Sequence, residues 1–272
     1  MNPATKVSIV LPTFNRSGLL KQSIISVLEQ DFQNFELIVI NDASSDDTKD
    51  VLAKYKADER IRIIHNPTNL GLQACLNIGL ALSKGEYIAR LDDDDHWIRK
   101  DKLSAQIEKL DDDAELGIVG TQYIVDDVQH SNPGTDQEIR SQMLFRCPFR
   151  HSTVMFRKRL IKEFGDYNEA LTYSEDWDLW LRLGAHCKML NLAMPSTFIS
   201  SEENASSKYL IRQIPINIKL IKKYRKNYPD ANKALFYQYL VKIVFSIIPV
   251  NGTIHNYLKR VYLKRFKILG KN

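Results

Sequence analysis

Cysteine is scarce in this chain: three among 272 residues. Cys75, Cys147 and Cys187 are odd in number, widely spaced and never form a C-x-x-C pair, so neither a disulfide framework nor a cysteine zinc site is indicated, and a reducing setting fits. Long apolar runs are missing as well. The most apolar late stretch, ALFYQYLVKIVFSIIPV, is broken by Gln238, Lys242 and Pro249 short of the ~20 residues that span a bilayer. The opening MNPATKVSIVLP lacks the longer hydrophobic segment and cleavage site of a secretory signal, so a cytoplasmic chain is expected, with peripheral attachment to the inner face of the membrane as an option. Glycine-built phosphate cradles are absent too. No G-x-G-x-x-G follows the first apolar run and no G-x-x-x-x-G-K-[ST] occurs anywhere, which sets aside the ordinary dinucleotide and P-loop readings.

Acidic residues are nearly missing from one end only. Residues 208–272 hold fifteen Lys or Arg against the single acid Asp230, while residues 1–207 hold twenty-three against thirty-two. A net charge of +5 hides that asymmetry. A basic block of this kind suits an anionic partner, either a phospholipid leaflet or a nucleic acid. The polar stretch SSEENASS at 200–207 marks the most plausible break, giving an expected body of 1–205 and a basic, amphipathic helical region of 206–272.

What the chain does have is ordinary globular composition, 44% hydrophobic and 26% charged, enough for a sizeable core. Short β-branched runs alternate with helical patterns through the first half. VSIVL (7–11), FELIVI (35–40), RIRII (60–64) and YIARL (87–91) read as strands, and residues 17–28, 48–55 and 70–83 as helices. That alternation argues a parallel sheet with right-handed crossovers, in which ligands bind beyond the carboxyl ends of the strands. The loops PTFNR, NDASSDD and LDDDD all fall at that edge. Further on, LGIVGTQYIV and STVMF (152–156) read as strands. SEDWDLWLRLG reads as a helix, with Thr172 to Glu175 a possible capping box at its start.

The run Asp92, Asp93, Asp94 and Asp95 needs a reason, because adjacent like charges raise one another's pKa unless something positive sits among them. Carboxylates simply pointing into water are one answer. A hard divalent cation arriving with substrate phosphates is the other. An EF-hand loop does not fit, since a register starting at Asp92 puts Trp97 at the glycine position and Leu103 at the bidentate glutamate position.

The ordered pieces VSIVLPTFNR, ELIVINDASSDDT, NLGLQACLNIGLALSKGEYIARLDDDDHW, GDYNEAL and SEDWDLWLRL resemble the inverting glycosyltransferases of family 2, over roughly residues 7–183. The resemblance implies an α/β fold of the Rossmann-like nucleotide-diphospho-sugar transferase (GT-A) type. Its mixed, mostly parallel central sheet would be two abutting half-sheets behaving as one domain, here with the basic helical extension. It implies a metal-dependent transfer of one sugar from a nucleotide-sugar donor, most naturally a UDP-sugar, with Mn2+ or Mg2+ as cofactor. The acceptor would be a glycan or lipid-linked sugar of surface polysaccharide synthesis. By the same resemblance Pro12 and Thr13 border the nucleotide, Asp42 accepts a hydrogen bond from the base, and Asn69 and Gly71 belong to a loop that closes over the donor. Asp92 and Asp94 match the D-x-D motif, with Asp94 the direct metal ligand. Asp93 stands where the family often has a small residue, Asp95 contacts the ribose or supports the loop, and Asp176 matches the catalytic base.

Plainer roles exist for the same residues. Asp42, Ser44, Ser45 and Asp46 would also form turns and cap a helix, and Glu175 and Asp176 would also complement a helix dipole. Trp177, Trp180 and Leu181, at helical spacing, suit core packing. His96 and His151 suit hydrogen-bonded structural positions, with His151 alternatively at the acceptor or metal. Arg146, Arg150 and Arg157 are candidates for an acceptor phosphate against a default of solvent exposure. Two neighbours in chemistry are disfavoured: a sugar-phosphate nucleotidyltransferase would open with G-G-x-G-T-R, and a processive synthase would carry Q-x-x-R-W and spanning helices. The remaining rival is a nucleic-acid or membrane binding module without transferase activity. No nucleic-acid partner is expected.

Overall fold

The computed structural model describes residues 5–200 and 210–247. The first strands are β1 (Val7–Thr13) and β2 (Phe35–Asn41), buried at every position, because strands covered on both faces are built from near-continuous apolar residues. Helices α1 (Ser17–Leu28), α2 (Thr48–Ala53) and α3 (Leu72–Leu82) connect them to β3 (Ile61–His65) and β4 (Tyr87–Arg90). β1 pairs in parallel with both β2 and β4, and β2 in parallel with β3. This parallel half delivers the chain ends Thr13, Asn41 and Arg90 to one edge.

The second half comprises β5 (His96–Trp97), α4 (Lys102–Asp112), β6 (Leu116–Val125), β7 (Val128–His130), α5 (Asp136–Gln142), β8 (Met155–Arg157), α6 (Lys158–Phe164), α7 (Glu175–Gly184) and β9 (Lys188–Phe198). Among the described residues these complete one mixed sheet in the order β3-β2-β1-β4-β8-β6-β9-β5, with β7 paired to β6. β8 is antiparallel to both β4 and β6 and joins the halves. Two helices follow, α8 (Leu210–Tyr224) and α9 (Ala231–Ile247).

Alternating side chains feed two cores, as a period of two requires. Ile9, Leu11, Leu37 and Val39 pack with α1 and α4 residues on one face. Val10, Ile38, Ile40 and Ile88 pack on the other with α3, with Leu179, Trp180 and Leu183 of α7, and with Leu220, Ile221 and Tyr224 of α8. The packing role of Trp177, Trp180 and Leu181 is seen directly: all three are buried, and Trp180 meets the rings of Phe149 and Phe156 edge-on at 6.1 and 5.4 Å.

Several sequence expectations change. The stretch 152–156 is not one strand: His151–Thr153 forms a 3-10 turn, and the strand begins at Met155. The capping box at Thr172 is absent, because Ser174 precedes α7 with φ 60° and no side chain caps the helix. A capping box forms instead at α5, between Thr135 and Glu138. Arg157 is not exposed; it is 9% accessible and donates to the carbonyls of Leu116, Leu110 and Asp113. On α9, Leu235 and Phe245 turn inward, while Phe236, Tyr239, Leu240 and Ile243 are 70%, 40%, 46% and 55% exposed. Lys259, Arg260, Lys264, Arg265 and Lys267 lie outside the described residues.

Asp178 fastens α7 to α8. Its carboxylate, 1% exposed, accepts from Tyr224 Oη at 2.9 Å and Lys223 Nζ at 3.0 Å, and pairs with Arg182 Nη2 at 3.4 Å. The pairing with Arg182 is one helical turn apart, and the two α8 partners add to it. Asp178→Ala leaves the buried Tyr224 hydroxyl without this acceptor and should cost about 1–3 kcal/mol in urea unfolding. A loss below about 0.5 kcal/mol would mean that apolar packing alone holds the helix.

Candidate functional site

The loops after β1, β2 and β4 and the start of α7 converge on one cleft. Three of them contain a non-glycine residue in the left-handed region: Asn15 at φ 53°, Ala43 at φ 59° and Ser174 at φ 60°. Such conformations persist where surrounding contacts hold them, and they mark a place where backbone strain is tolerated. Here the contacts are visible. Ser45 N donates to Asn15 Oδ1 at 2.8 Å, and Ser44 N to Asn41 Oδ1 at 3.0 Å.

Asp42, just past β2, anchors the segment before α3. Its Oδ1 accepts from Asn66 Nδ2 and Leu70 N, both at 2.8 Å, and its Oδ2 from Gly71 N at 2.9 Å. Gly71 sits at φ 90°, a conformation glycine adopts without a Cβ penalty, which lets its N–H turn toward the carboxylate. Burial alone would raise the Asp42 pKa, but the donors at Leu70, Asn66 and Gly71 hold it below the usual carboxylate value. Oδ2, with one donor, keeps capacity for a second. Asp46 makes a turn of the kind expected here, accepting from Thr48 N at 3.1 Å, while Asp47, the residue before α2, makes no side-chain cap.

The four aspartates are individually placed. Arg90, the last residue of β4, is fully buried, and its Nη1 donates to the carbonyls of Val10 at 2.7 Å and Leu91 at 3.0 Å. Its Nη2 donates to Asp92 Oδ1, and its Nε to His151 Nε2 at 3.2 Å. Burial raises the Asp92 pKa, yet Arg90, His151 and Ser152 together outweigh it and the carboxyl is held below its ordinary value. Ser152 Oγ lies within reach of Asp92 Oδ2 and Asp95 Oδ2, and Asp95 Oδ1 accepts from Ser200 N at 2.9 Å, so Asp95 braces the loop. Asp94 Oδ2 is paired with Arg16 Nη1 at 2.8 Å. Burial, with repulsion from Asp92, still raises the Asp94 pKa, and burial with repulsion from Asp94 pushes Asp93 up to about 7. The loop therefore carries more negative charge than its two arginines neutralise.

Asp176 and Glu175 open α7. Asp176 Oδ1 accepts from Trp177 N at 2.6 Å, while Cys147 Sγ approaches Oδ2 at 3.8 Å. Burial raises both carboxyls, and burial together with the Asp176 charge pushes Glu175 up to about 8. The Trp177 N–H and the Arg150 charge act in the other direction on Asp176. Glu175 is thus the member of the pair that is lifted past neutral pH.

A cavity of about 580 Å³ is lined by Pro12, Thr13, Asp42, Asn69, Gly71, Asp92, Asp93, Asp94 and Asp176, every site residue that the sequence nominates, together with Asp95 and Glu175. His151 also lines it, as a structural residue: its Nε2 contacts Tyr167 Oη at 2.7 Å, and burial followed by the Arg90 charge pulls its pKa down to about 3, so it stays neutral. His96 is elsewhere, stacked on Phe198 at 4.9 Å. Two residues that sequence reasoning gave no role are central, Arg16 and Arg90. Arg90 did leave a signal, a lone cation inside an otherwise apolar strand. Among the described residues no three His, Cys, Asp or Glu side chains converge as a self-sufficient metal site.

Comparison with known proteins agrees with this geometry. The glycosyl transferase family 2 profile matches residues 8–171, a span that includes Pro12 to Asp95 and stops short of Asp176. An uncharacterised glycosyltransferase of Haemophilus influenzae is 32% identical over 252 residues, covering 79% of this chain and 77% of that protein. The Escherichia coli enzyme WfaP, named as UDP-Glc:alpha-D-GlcNAc-diphosphoundecaprenol beta-1,3-glucosyltransferase, is 32% identical over 216 residues, covering 76% and 83%. Among solved structures, S. aureus TarS 1-349 in complex with UDP-GlcNAc superposes with a TM-score of 0.68 at 18% identity, covering 85% of this chain and 70% of that one. The mannosyltransferase PcManGT from Pyrobaculum calidifontis, in complex with GDP-Man and Mn2+, does so at 0.67 and 16%, covering 88% and 70%. These two likenesses extend the agreement to the fold, and the chain belongs to glycosyl transferase family 2 as a GT-A-fold glycosyltransferase.

Proposed function

We propose that this enzyme transfers a single sugar from a UDP-sugar to a glycan or lipid-linked acceptor with inversion, in surface polysaccharide synthesis. The observation that carries the reading is the gathering of all nine nominated residues around one cavity. Pro12, Thr13, Asp42, Asn69 and Gly71 would border the nucleoside, with the free lone pair of Asp42 Oδ2 suited to a base N–H. The UDP choice draws on the TarS complex with UDP-GlcNAc and on the UDP-Glc in the WfaP name.

Mn2+ or Mg2+ suits the donor set. All the candidate ligands are carboxylate oxygens, the charge on the loop is under-compensated, and such ions typically take one or two carboxylates plus substrate phosphates. Asp94 and Asp92 would hold the ion, with Asp93 beside the diphosphate. When bound, the ion supplies charge stabilisation to the departing diphosphate. The protein's own residues do the rest: Arg16 and Arg90 orient the loop, and Asp176 accepts the proton from the attacking acceptor hydroxyl. A base so placed contributes typically 10²- to 10⁴-fold.

Peripheral membrane attachment fits the surface. Phe236, Tyr239, Leu240 and Ile243 share one face of α9 by helical spacing, and residues 248–272 add six Lys or Arg and no acid. No helix among the described residues is long and apolar enough to cross a membrane.

Three outcomes are expected. Asp176→Asn loses transfer by several hundred-fold yet binds UDP with Mn2+ near-normally, whereas Asp94→Asn weakens the Mn2+-dependent part of UDP binding; calorimetry and initial rates separate the two. A reversed pattern, with Asp176→Asn losing donor binding, would move the base to another residue. Glu175→Gln gives a pH signature. Because the folded pKa of about 8 exceeds the ordinary 4.5, the folded state keeps a proton that the unfolded chain releases, so this group lowers stability progressively as pH rises from 4.5 to 8. The variant should melt higher than wild type at pH 8.5 and equally at pH 4; a pH-independent difference would contradict the burial of that carboxyl. Finally, the protein should float with anionic vesicles at low salt and be released at high salt, and indifference to anionic vesicles would remove the membrane from the proposal.

A further inference from the structure

A second cavity, of about 430 Å³, adjoins the donor cleft. Leu72, Arg150, Glu175 and Asp176 line both cavities, so the carboxyl pair stands where they meet. Arg146 lines the second cavity and not the first. The contacts of the two arginines are to neutral groups: Arg146 Nε donates to Gln142 Oε1 at 2.7 Å, and the Arg150 guanidinium lies over the Tyr123 ring at 5.1 Å. Among the described residues no carboxylate forms an ion pair with either. Burial, opposed by Tyr123 and reinforced by the like charge of Arg150, lowers the Arg146 pKa. A bound anion would offset both penalties, and a guanidinium fork matches phosphate oxygens two at a time.

The far wall comes from the C-terminal helices. Gln213 and Asn217 of α8 and Gln238 of α9 line this cavity. Asn217 spends its Oδ1 on Ser174 Oγ at 3.1 Å, which leaves its amide N–H groups for another partner. Gln238 is 2% exposed, and its Oε1 has no hydrogen-bond partner among the described residues. A buried acceptor without a donor costs free energy, and a sugar hydroxyl supplies that donor. One of these amides, Gln238, belongs to α9, the helix that carries the exposed apolar row.

We propose that the second cavity is the acceptor subsite and that it takes a saccharide bearing a phosphate or diphosphate, with the anion on Arg146 and Arg150 and the sugar hydroxyls on Asn217 and Gln238. The proposal rests on the donor reading above, since it needs the reacting hydroxyl to face Asp176. A neutral glycan is the competing occupant.

The test uses the full chain saturated with UDP and Mn2+, so that the donor cavity is filled. Two soluble probes are titrated: an octyl diphosphate-linked N-acetylglucosamine, and the octyl glycoside of the same sugar without phosphate. The wild type should bind the first about 10-fold or more tightly than the second, as charge-assisted bonds to one guanidinium predict. Arg146→Gln should abolish that preference without changing UDP affinity. Asn217→Asp, which is isosteric and adds a negative charge to the wall, should reduce the preference too, and it decides the matter if Arg146→Gln folds poorly. Octyl diphosphate lacking the sugar should bind more weakly than the full probe; equal binding would mean a lipid headgroup site, and the acceptor assignment would fail. Equal affinity for the first two probes, no binding of either, or a preference that survives in both variants, with UDP binding intact, would overturn the proposal. If the wild type fails to bind UDP at all, the donor reading falls and the proposal falls with it.

Discussion

The buried guanidinium of Arg90 is the constraint on which the site depends. A fully desolvated cation is costly unless its donors are met, and here they are met by the Val10 and Leu91 carbonyls, by His151 and by Asp92. Those contacts tie the end of β4 to β1 and to the 3-10 turn at His151–Thr153. They also fix Asp92, and Asp95 is then held two bonds away through Ser152 and Ser200. The acidic loop is thus rigid at its first and last members, and its excess charge is concentrated on Asp93 and Asp94.

That distribution gives the two halves of the fold different tasks. The parallel half presents polar loops at strand ends, as doubly wound sheets do, and supplies one side of the cleft. The mixed half brings α7 to the opposite wall with the carboxyls of Glu175 and Asp176, and Asp178 links that helix to α8. The two cavities meet at Glu175 and Asp176. The basic C-terminal helices are therefore part of the wall of the second cavity as well as a surface.

Much of this was legible in the residues. Continuous apolar runs located β1 and β2, and the loops quoted at their ends proved to share one edge. The failures have physical causes. Strand 152–156 was misjudged because the β-branched Thr153 and Val154 suit a strand, while Ser152 is drawn into a turn by its hydrogen bonds to Asp92 and Asp95. The capping box at Thr172 matched a sequence pattern that the backbone does not realise, since Ser174 adopts φ 60°. Arg157 reads as exposed on composition, yet the backbone carbonyls of Leu110 in α4, Asp113 just after it and Leu116 at the start of β6 compensate its burial. Arg16 gained its importance from a contact 78 residues away in sequence, which no local pattern reports, and the lone cation Arg90 in its apolar strand hinted at a partner without showing that His151, 61 residues on, would be one.

The most direct measurement is the anomalous scattering of Mn2+ in crystals grown with UDP. A manganese peak bonded to Asp94 and to the UDP diphosphate, with Asp92 still bound to Arg90, is the predicted result. UDP seated among Pro12, Thr13 and Asp42 with no manganese at the aspartate loop, or UDP bound outside the cleft, would contradict the assignment of this loop as the metal–diphosphate site.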